Sequence, residues 1–371
     1  MQLTLHLTND CNLKCSYCFV PLGPERMSKD VAFAAVKLGM KDSKTTGILF
    51  YGGEPLLEKK LIYGTVAYTE RLKKKTGHNF FYKTTTNGVL LDEEFLKFSE
   101  KVNLTIGFSH DGPSQDTCRV LNNGNGTYDI LEEKIPLLLK YQPYAIGMSV
   151  MDPTTVHNAS ENVKFLFNKG FKYITINPNY TDTSAWTPEI LAILEDEYKK
   201  MAELYLEWTK AEEKFYLGAF DLKILSLIKG EDYNKDRRLM ALNQPSVAPD
   251  GKIYPGSRYL GMPEFEIGDV FSGIDHEKQK FLFEKGSVPL APCRECAINT
   301  RCNYIFDTLA CHGDDIIIDI SPMQCVHEQI LTPIADSVAD TLYKDRSAMF
   351  IQKHYNELYP IISLVEDRAV N

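Results

Sequence analysis

Hydrophobic and polar positions in the first half of the chain follow two alternating periods. Runs that are apolar, or apolar at every second position, predict strands at residues 2–7, 48–51, 79–85, 104–109, 144–150 and 172–176. Helical patterns separate these runs, and helices are expected to begin at Ser28 and at Asp92. About six strand–helix alternations predict parallel strands joined by crossover helices. The predicted fold class is therefore α/β, with a partial (βα)6 barrel of the TIM type.

Four of the predicted strands are followed by motifs that could carry chemistry. They are Cys11–Cys18 after the first strand, Gly52–Pro55 after the second, Asn87–Gly88 after the third and Ser109–Pro113 after the fourth. The carboxyl ends of parallel strands meet at one edge of a sheet, and ligands bind there. We therefore expect the four motifs to form one site.

The second half of the chain has a different character. A long amphipathic helix is predicted over 188–215, and a further helix over 219–229 ends at Gly230. Residues 245–325 are rich in Pro, Gly and Cys, which predicts a small domain stapled by metal, and a final helix is predicted over 334–358. The predicted division is a core domain over 1–215, a bridging helix region over 216–245, a cysteine-rich domain over 246–333 and a C-terminal helix over 334–371.

Composition narrows the functional classes. The chain has 371 residues, 44% hydrophobic and 25% charged, which is ordinary for a globular protein and long for a single domain. No apolar run is long enough to cross a bilayer, and the N-terminus lacks the features of a signal peptide. The formal net charge of −9 argues against nucleic acid as a partner. We expect a cytoplasmic protein with neither a membrane nor a nucleic-acid partner.

The nine cysteines are grouped along the chain. Three lie at 11–18 and five at 293–325, with Cys118 alone between the groups. In a cytoplasmic protein, grouped cysteines are more typical of metal ligands than of disulfides. The grouping therefore predicts two metal centres.

The first group, Cys11, Cys15 and Cys18, has the spacing C-x3-C-x2-C. An iron–sulfur cubane normally takes four thiolates, so three would leave one iron with an open coordination position. Open positions distinguish reactive metal sites from structural ones. Spacing alone leaves two alternatives, a zinc site, for which His6 is the only local histidine, and three unrelated thiols.

The first half of the chain resembles the radical S-adenosylmethionine (SAM) superfamily. The motif of that superfamily is C-x3-C-x-aromatic-C, and here Tyr17 is the aromatic residue before Cys18. The resemblance implies a 4Fe–4S cluster on Cys11, Cys15 and Cys18, whose open iron chelates SAM and whose electron releases a 5′-deoxyadenosyl radical. It covers about residues 1–180, and its motifs occur in the expected order.

The same resemblance implies the residues that contact SAM. The segment Gly52-Gly53-Glu54-Pro55 resembles the motif that binds the methionine amino group, because glycines allow close backbone approach and a carboxylate suits an ammonium. The other implied contacts are Thr86 and Asn87 near methionine and ribose, Ser109 and Asp111 near SAM, and Arg119 at the methionine carboxylate. For Arg119 an ordinary surface arginine is the alternative.

The second group gives the spacing C-x2-C-x5-C-x22-C through Cys293, Cys296, Cys302 and Cys325. Four thiolates make a closed site, which suits a complete iron–sulfur cluster or a structural zinc. The region resembles the SPASM/twitch extension of peptide-modifying radical SAM enzymes, with residues 247–255 as its opening hairpin. Gly256 stands where the extension usually has a cysteine, so the resemblance implies one auxiliary 4Fe–4S cluster. Cys311 and Cys118 receive no function.

The resemblance implies a peptide maturase that abstracts hydrogen from a ribosomally made precursor peptide and forms a thioether or another side-chain cross-link. A reductant such as flavodoxin or ferredoxin is implied as a partner. The chain begins directly at the first strand, without the leader-binding domain of some relatives. We therefore also consider a separate protein that binds the leader peptide.

Two other functions stay open. One is an anaerobic sulfatase-maturing enzyme, which forms formylglycine; that family has an acidic base beside a hairpin cysteine, where this chain has Gly256-Ser257. The other is a metal-stapled binding protein that catalyses nothing. The intact cysteine motif together with Glu54 favours an enzyme.

Overall fold

The computed structural model describes residues 1–41, 43–181, 183–230, 240–287, 290–302, 309–312, 315–318 and 320–370. Part of the predicted bridging region, residues 231–239, and the side chain of Cys311 lie outside this description.

The described part of the chain forms short strands, nine of them before residue 218 and six between residues 246 and 318. They are β1 Gln2–His6, β2 Leu13–Cys15, β3 Thr45–Tyr51, β4 Asn79–Thr86, β5 Leu104–Ser109, β6 Arg119–Leu121, β7 Ile146–Met151, β8 Tyr173–Pro178, β9 Tyr216–Leu217, β10 Ser246–Val247, β11 Lys252–Tyr254, β12 Gly268–Asp269, β13 Gly273–Ile274, β14 Leu309–His312 and β15 Asp315–Ile318.

Helices of at least eight residues connect and cover these strands. They are α1 Lys29–Gly39, α2 Lys59–Thr76, α3 Glu93–Lys101, α4 Tyr128–Tyr141, α5 Ala159–Asn168, α6 Pro188–Lys210, α7 Gly218–Lys229, α8 His276–Ser287, α9 Pro322–Lys344, α10 Ala348–Tyr355 and α11 Tyr359–Val370. Single helical turns lie at Gln115–Cys118, Met240–Asn243 and Ala291–Arg294.

The barrel wall consists of parallel strands in the order β1-β3-β4-β5-β7-β8-β9. Each crossover helix leads to the neighbouring strand, as expected for repeated strand–helix units. Ser28 and Asp92 cap α1 and α3 by accepting hydrogen bonds from the main-chain N–H groups of Val31 and Phe95. The predicted α/β class and the partial parallel barrel are confirmed.

The sheet continues beyond the barrel. Strand β10 pairs in parallel with β1, with Thr4 opposite Ser246, and β11, β12 and β13 follow as antiparallel neighbours. The predicted hairpin over 247–255 exists as β10 and β11, and Gly251 lies in its turn with a φ of +97°. The hairpin therefore belongs to the same eleven-stranded sheet as the barrel.

Two small antiparallel sheets complete the strands. In the first, β2 pairs with β6 and places Cys15 opposite Arg119. In the second, β14 pairs with β15. The first pairing matters for the site, because it joins the cysteine loop to the segment that follows β5.

The helices of the second half differ from the sequence prediction in three places. Helix α6 ends at Lys210 and not at 215. Helix α8 lies within the Pro-, Gly- and Cys-rich region 245–325, for which the sequence pattern predicted no helix. The single helix predicted over 334–358 is wrong. In its place α9 begins at Pro322 and carries Cys325, and α10 and α11 follow.

The predicted domain boundary between 333 and 334 falls inside α9 and is corrected accordingly, because Ser321-Pro322 starts this helix and it runs unbroken to Lys344. Arg346, with a φ of +52°, separates α9 from α10. Within the described ranges, none of the helices combines the length and the apolar character needed to cross a membrane.

Candidate active site

The loop after β1 carries the three N-terminal cysteines. Cys11 and Cys15 are partly buried and Cys18 is exposed. The main-chain N–H of Leu13 donates to Cys11 Sγ over 3.4 Å, and the N–H of Cys18 donates to the Cys15 carbonyl over 3.2 Å. These bonds shape the loop into tight turns that hold the thiols near one another.

Burial, with a smaller contribution from the neighbouring cysteines, raises the pKa of the Cys11 thiol to about 12 and that of Cys15 to about 11. The three thiols therefore interact electrostatically. Burial disfavours the thiolate forms of Cys11 and Cys15, which metal ions stabilise. The trio accordingly suits a cationic metal centre placed among the three sulfurs.

The loop after β3 packs its backbone against the cysteine loop. The N–H of Gly53 donates to the Thr8 carbonyl over 2.8 Å, and the N–H of Glu54 donates to the Asp10 carbonyl over 2.9 Å. A Cβ on Gly52 would lie 2.3 Å from the Thr8 oxygen, and one on Gly53 would lie 2.2 Å from the Asp10 oxygen. Glycine is thus required at both positions for the two loops to contact each other. The sequence had suggested a different reason, close approach of the backbone to SAM.

Glu54 joins this loop to the one after β4. Its fully buried carboxylate accepts hydrogen bonds from the Leu56 N–H at 2.9 Å, the Thr86 hydroxyl at 2.7 Å and the Asn87 N–H at 2.8 Å. Burial nevertheless raises the pKa of Glu54 to about 7, outweighing the three donors. The Asn87 side chain continues the link by donating to Asn12 Oδ1 over 2.8 Å.

The loop after β5 contributes a buried ion pair. Arg119 Nε lies 2.9 Å from Asp111 Oδ2, and the Tyr17 hydroxyl donates to the same carboxylate. The guanidinium also lies 5.1 Å from the centre of the Tyr17 ring. Burial lowers the pKa of Arg119, but the charges of Asp111, Tyr17 and Cys15 outweigh burial and raise it overall. Arg119 is thus a buried cation beside Cys15 and not a surface arginine.

The remaining predicted neighbour of SAM, Ser109, ends β5 and is buried. The next residue, His110, was not singled out from the sequence. Its Nδ1 accepts from the Gly112 N–H over 2.9 Å, and its ring stacks on Phe165 at 5.1 Å. Burial lowers the pKa of His110 to about 4, so the imidazole is neutral near pH 7 and fills a packing role.

A polar cluster joins the barrel to the hairpin, and nothing in the sequence indicated it. His6 at the end of β1 is fully buried, and its Nε2 lies 2.9 Å from the Ser257 hydroxyl, which lies 3.0 Å from the Ser246 hydroxyl. Burial lowers the pKa of His6 to about 3. His6 is therefore neutral near pH 7, and its Nε2 is engaged by the Ser257 hydroxyl.

The four C-terminal cysteines surround one small cavity. A cavity of about 30 Å³ is lined by Cys293, Cys296, Cys302 and Cys325. Burial raises the pKa of Cys325, and the charges of Cys293 and Cys296 raise it further. The structure thus brings together all four cysteines that the spacing selected.

Four thiolates around one cavity form a closed ligand set, which suits either a complete iron–sulfur cluster or a structural zinc. Across the described part of the chain, no three Cys, His, Asp or Glu side chains, those of the N-terminal trio included, are already placed as ligands of one metal ion. The geometry of the four cysteines is compatible with both kinds of centre.

Two ion pairs hold the wall of this cavity. Lys223 and Glu328 form a pair that is at most 3% exposed, and Lys223 Nζ also donates to the Arg301 carbonyl over 3.1 Å. Arg301, next to Cys302, makes two hydrogen bonds to Asp336 of 2.8 and 2.5 Å. Buried pairs of this kind fix geometry more than they add stability.

Cys118 lies beside the loop of the N-terminal trio and far along the chain from the C-terminal four. It is buried at the end of a single helical turn, and its carbonyl accepts from the Ser16 N–H over 3.0 Å. Burial raises its pKa. This placement is that of a small core residue.

Residues 5–166 match the family model of the radical SAM superfamily. The chain carries a radical SAM domain. That superfamily uses SAM and a 4Fe–4S cluster, and the four strand-end motifs described above, the cysteine loop among them, all lie within the matched residues. The resemblance predicted from the sequence is therefore confirmed for this domain.

Curated relatives extend the similarity beyond the barrel. The cysteine-type anaerobic sulfatase-maturating enzyme of Clostridium perfringens (strain 13 / Type A) is 22% identical over 287 residues, which are 71% of this chain and 75% of that protein. The radical SAM cyclopropyl synthase TigE of Paramaledivibacter caminithermalis is 23% identical over 289 residues, 70% of this chain and 58% of that protein.

Solved structures show the same fold over nearly the whole chain. The structure of native anSMEcpe with bound AdoMet is 19% identical and covers 92% of this chain and 99% of its own, with a TM-score of 0.75. Streptococcus suis SuiB bound to precursor peptide SuiA is 16% identical and covers 81% and 70%, with a TM-score of 0.58. The likeness includes the C-terminal part, so the SPASM/twitch resemblance is confirmed at the level of the fold.

Proposed function

We propose that this radical SAM enzyme is a peptide maturase, which abstracts hydrogen from a ribosomally made precursor peptide and forms a thioether or another side-chain cross-link. The observation that carries the proposal is the cysteine trio at the carboxyl ends of the parallel strands, bound through backbone hydrogen bonds to the Gly52–Glu54 loop. A peptide substrate is supported by fold likeness to SuiB bound to precursor peptide SuiA and to anSMEcpe with bound Kp18Cys peptide.

We assign Cys11, Cys15 and Cys18 as ligands of the SAM-binding 4Fe–4S cluster. The raised pKa values of Cys11 and Cys15 mean that these two thiols hold their protons until metal binds and displaces them. When bound, the cluster and SAM supply a carbon-centred radical able to abstract hydrogen from a C–H bond. The loop around the thiols excludes water from one side, because Leu13, Tyr17 and Val20 are buried within it.

Among the proposed neighbours of SAM, one residue supplies a positive charge and the others hold the loops of the site in place. Arg119 carries a buried positive charge beside Cys15, held by Asp111 and Tyr17, and a guanidinium suits the methionine carboxylate. Thr86 and Ser109 remain proposed neighbours of SAM. Thr86 donates to Glu54, and this bond fixes one side of the site.

Glu54 has a different role from the one that its motif suggests. Its carboxylate is fully buried and already accepts three hydrogen bonds. We infer that it fixes the loop through Pro55 against Asn87. The main chain of that loop is then left to bind the methionine amino group.

For the C-terminal site we propose one auxiliary 4Fe–4S cluster on Cys293, Cys296, Cys302 and Cys325. Four ligands close the site, so its role is to fix this region and to pass electrons, without binding substrate at an open iron. The adjoining Lys223–Glu328 pair holds the Cys302 side of the cavity, as described above.

A second candidate function is sulfatase maturation. It is favoured by the sulfatase-maturating relatives from Clostridium perfringens, whose alignments cover 71% of this chain at 22% and 23% identity. Against it stands Ser257, which is bound to His6 and Ser246 where an acidic base would be expected. Because a hydroxyl is a far weaker base than a carboxylate, the cross-linking function is the better fit.

The test is an anaerobic assay with both substrate classes. The full chain, reconstituted with iron and sulfide, receives SAM and reduced flavodoxin or ferredoxin. One set of reactions contains candidate precursor peptides, alone and with a separate leader-binding protein, and the other contains a cysteine-type sulfatase peptide. The maturase predicts 5′-deoxyadenosine with a mass loss of about two hydrogens in the precursor, since one cross-link removes two hydrogen atoms.

The outcomes separate the proposals. Formylglycine in the sulfatase peptide with no change in any precursor would replace the maturase by the second candidate. If no reaction yields 5′-deoxyadenosine, whether or not peptide is present, the result would favour a metal-stapled binding protein. Cys118→Ala serves as the matched control for cysteine variants, because this buried thiol lies beside the N-terminal trio and is not among the proposed ligands.

A further inference from the structure

A second cavity lies at the end of the barrel opposite the cysteine loop. Its volume is about 530 Å³, and its wall includes Tyr173 and Tyr216, the first residues of β8 and β9. Helices α10 and α11 border its other side. A strand of six residues spans about 20 Å, so this cavity is well separated from the strand ends that carry the cysteines.

The cavity has the size and the lining of a small-molecule site. Pockets for small ligands are mostly 300–1,000 Å³ in volume and combine aromatic walls with a few polar groups. The aromatic residues of the wall are Tyr144, Tyr173, Phe215, Tyr216, Tyr355 and Tyr359. Such rings offer stacking faces to a planar ligand and hydroxyl groups at their tips.

The floor of the cavity contains a cation that is already balanced. Lys353 Nζ lies 2.7 Å from Asp221 Oδ1 and 4.3 Å from the centre of the Phe215 ring. The side chains of Lys353 and Asp221 are 9% and 0% exposed. The floor therefore offers a stable polar surface and no unbalanced charge.

The rim of the cavity holds the carboxylate of Asp367 in a seat formed by Lys172, Lys214 and Tyr144. Lys172 Nζ lies 2.7 Å and Lys214 Nζ 3.1 Å from the carboxylate oxygens of Asp367, and the Tyr144 hydroxyl donates to the same group over 3.2 Å. Lys214 Nζ also lies 2.8 Å from a carboxylate oxygen of Glu366. The three donors come from the barrel, whereas both carboxylates come from α11. The chain itself thus shows that a carboxylate fits these donors.

Helix α11 meets the barrel through its polar side. Ile361 and Val365, four residues apart, are 62% and 61% exposed, so this apolar stripe faces away from the barrel. The side chains of Lys172 and Lys214 are 36% and 26% exposed, whereas that of Asp367 is 13% exposed. Ion pairs whose lysines solvent can reach contribute little to stability, so another carboxylate can replace Asp367 at small cost.

We propose that this cavity is a binding site for a small aromatic carboxylate. The acid group of the ligand takes the place of Asp367 on Lys172, Lys214 and Tyr144, and its ring lies among the tyrosines of the wall. The site is independent of the radical chemistry, and ligand binding releases the contact between α11 and the barrel.

Isothermal titration on the full-length, cluster-loaded chain tests this site, with SAM present so that the N-terminal site is filled. Indole-3-acetate is the probe, and indole-3-acetamide is the matched compound without the charge. We expect the acid to bind roughly tenfold or more tightly than the amide, since a carboxylate–lysine bond is charge-assisted. Equal affinities, or no binding of the acid, would overturn the proposal.

Variants of the seat give opposite shifts. Lys214→Met should weaken binding of indole-3-acetate. Asp367→Asn should strengthen it, because the carboxylate that occupies Lys172 and Tyr144 is removed while Glu366 stays on Lys214. Lys199→Met changes an exposed lysine on α6 and should leave the affinity unchanged. If Asp367→Asn loosens α11, the Lys214→Met result still decides the matter, and unchanged affinity there would refute the seat.

Discussion

The two cysteine centres are held in different ways. Around the N-terminal trio, loops from three barrel strands are joined by main-chain hydrogen bonds, by the buried Glu54 carboxylate and by the Asp111–Arg119 pair. The C-terminal four lie on single turns and at the start of α9, supported by two ion pairs. The N-terminal site is therefore preorganised by the protein, whereas the C-terminal site depends more on its metal.

The largest expected effect comes from removing one ligand of the trio. Cys15→Ala takes away one of three thiolates, so the SAM-binding cluster should be lost and 5′-deoxyadenosine should fall below detection. Iron should drop by roughly four atoms per chain while the auxiliary iron remains. Chromatographic product analysis and iron counting measure both. Substantial 5′-deoxyadenosine from this variant would contradict the ligand assignment.

Cys293→Ala addresses the other centre and sharpens the contrast. We expect loss of the auxiliary iron, a lower melting temperature and retained cleavage of SAM without peptide, because the barrel loops are held independently. Calorimetry and the 5′-deoxyadenosine assay measure these effects. A variant that keeps all of its iron would refute the auxiliary cluster. Zinc in the purified wild type would identify the C-terminal site as a zinc centre.

Glu54→Gln tests the preorganisation of the trio. The amide leaves one of the three donors without an acceptor, which should cost about 1–3 kcal/mol of stability. The pKa of Glu54 is about 7 in the folded chain, above its usual 4.5, so its stabilising contribution is complete at low pH and is lost as the pH rises through 7. Denaturant titrations of metal-free protein should therefore show wild-type stability falling between pH 4.5 and 7 relative to the variant. If the free energies of unfolding of wild type and variant change in parallel with pH, the raised pKa of Glu54 is ruled out.

The smallest expected effect is that of Ser257→Ala. The change removes the hydroxyl that binds His6 and Ser246, at a cost of about 1 kcal/mol. We expect unchanged 5′-deoxyadenosine formation without peptide and a reduced yield of modified peptide. Ser43→Ala, whose hydroxyl bonds only its own loop, is the matched control. Loss of SAM cleavage itself would place this cluster closer to SAM than proposed.

Much of the barrel could be predicted from the sequence because its signals are local. Ser28 and Asp92 are typical N-cap residues and indicate where two helices begin. Each crossover helix places the next strand beside the previous one, so the four motifs at the strand ends lie close together. Arg119 was ambiguous, since its burial depends on Asp111 and on the pairing of β2 with β6.

Contacts between distant segments could not be predicted. His6 and Ser257 are 251 positions apart, and nothing near either residue marks the other. The attachment of β10 to β1 is equally non-local. The late helices were misjudged for a local reason, since Arg346 in a left-handed conformation interrupts an otherwise helical pattern.

The shared sheet has a consequence for any attempt to divide the protein. Strand β1 is bonded on one side to β3 and on the other to β10, so it is interior only while residues 246–247 are present. A fragment that ended with the barrel would leave the main-chain N–H and C=O groups of β1 bare along one side. Uncovered strands of this kind recruit strands from other chains, so the isolated barrel should self-associate on expression.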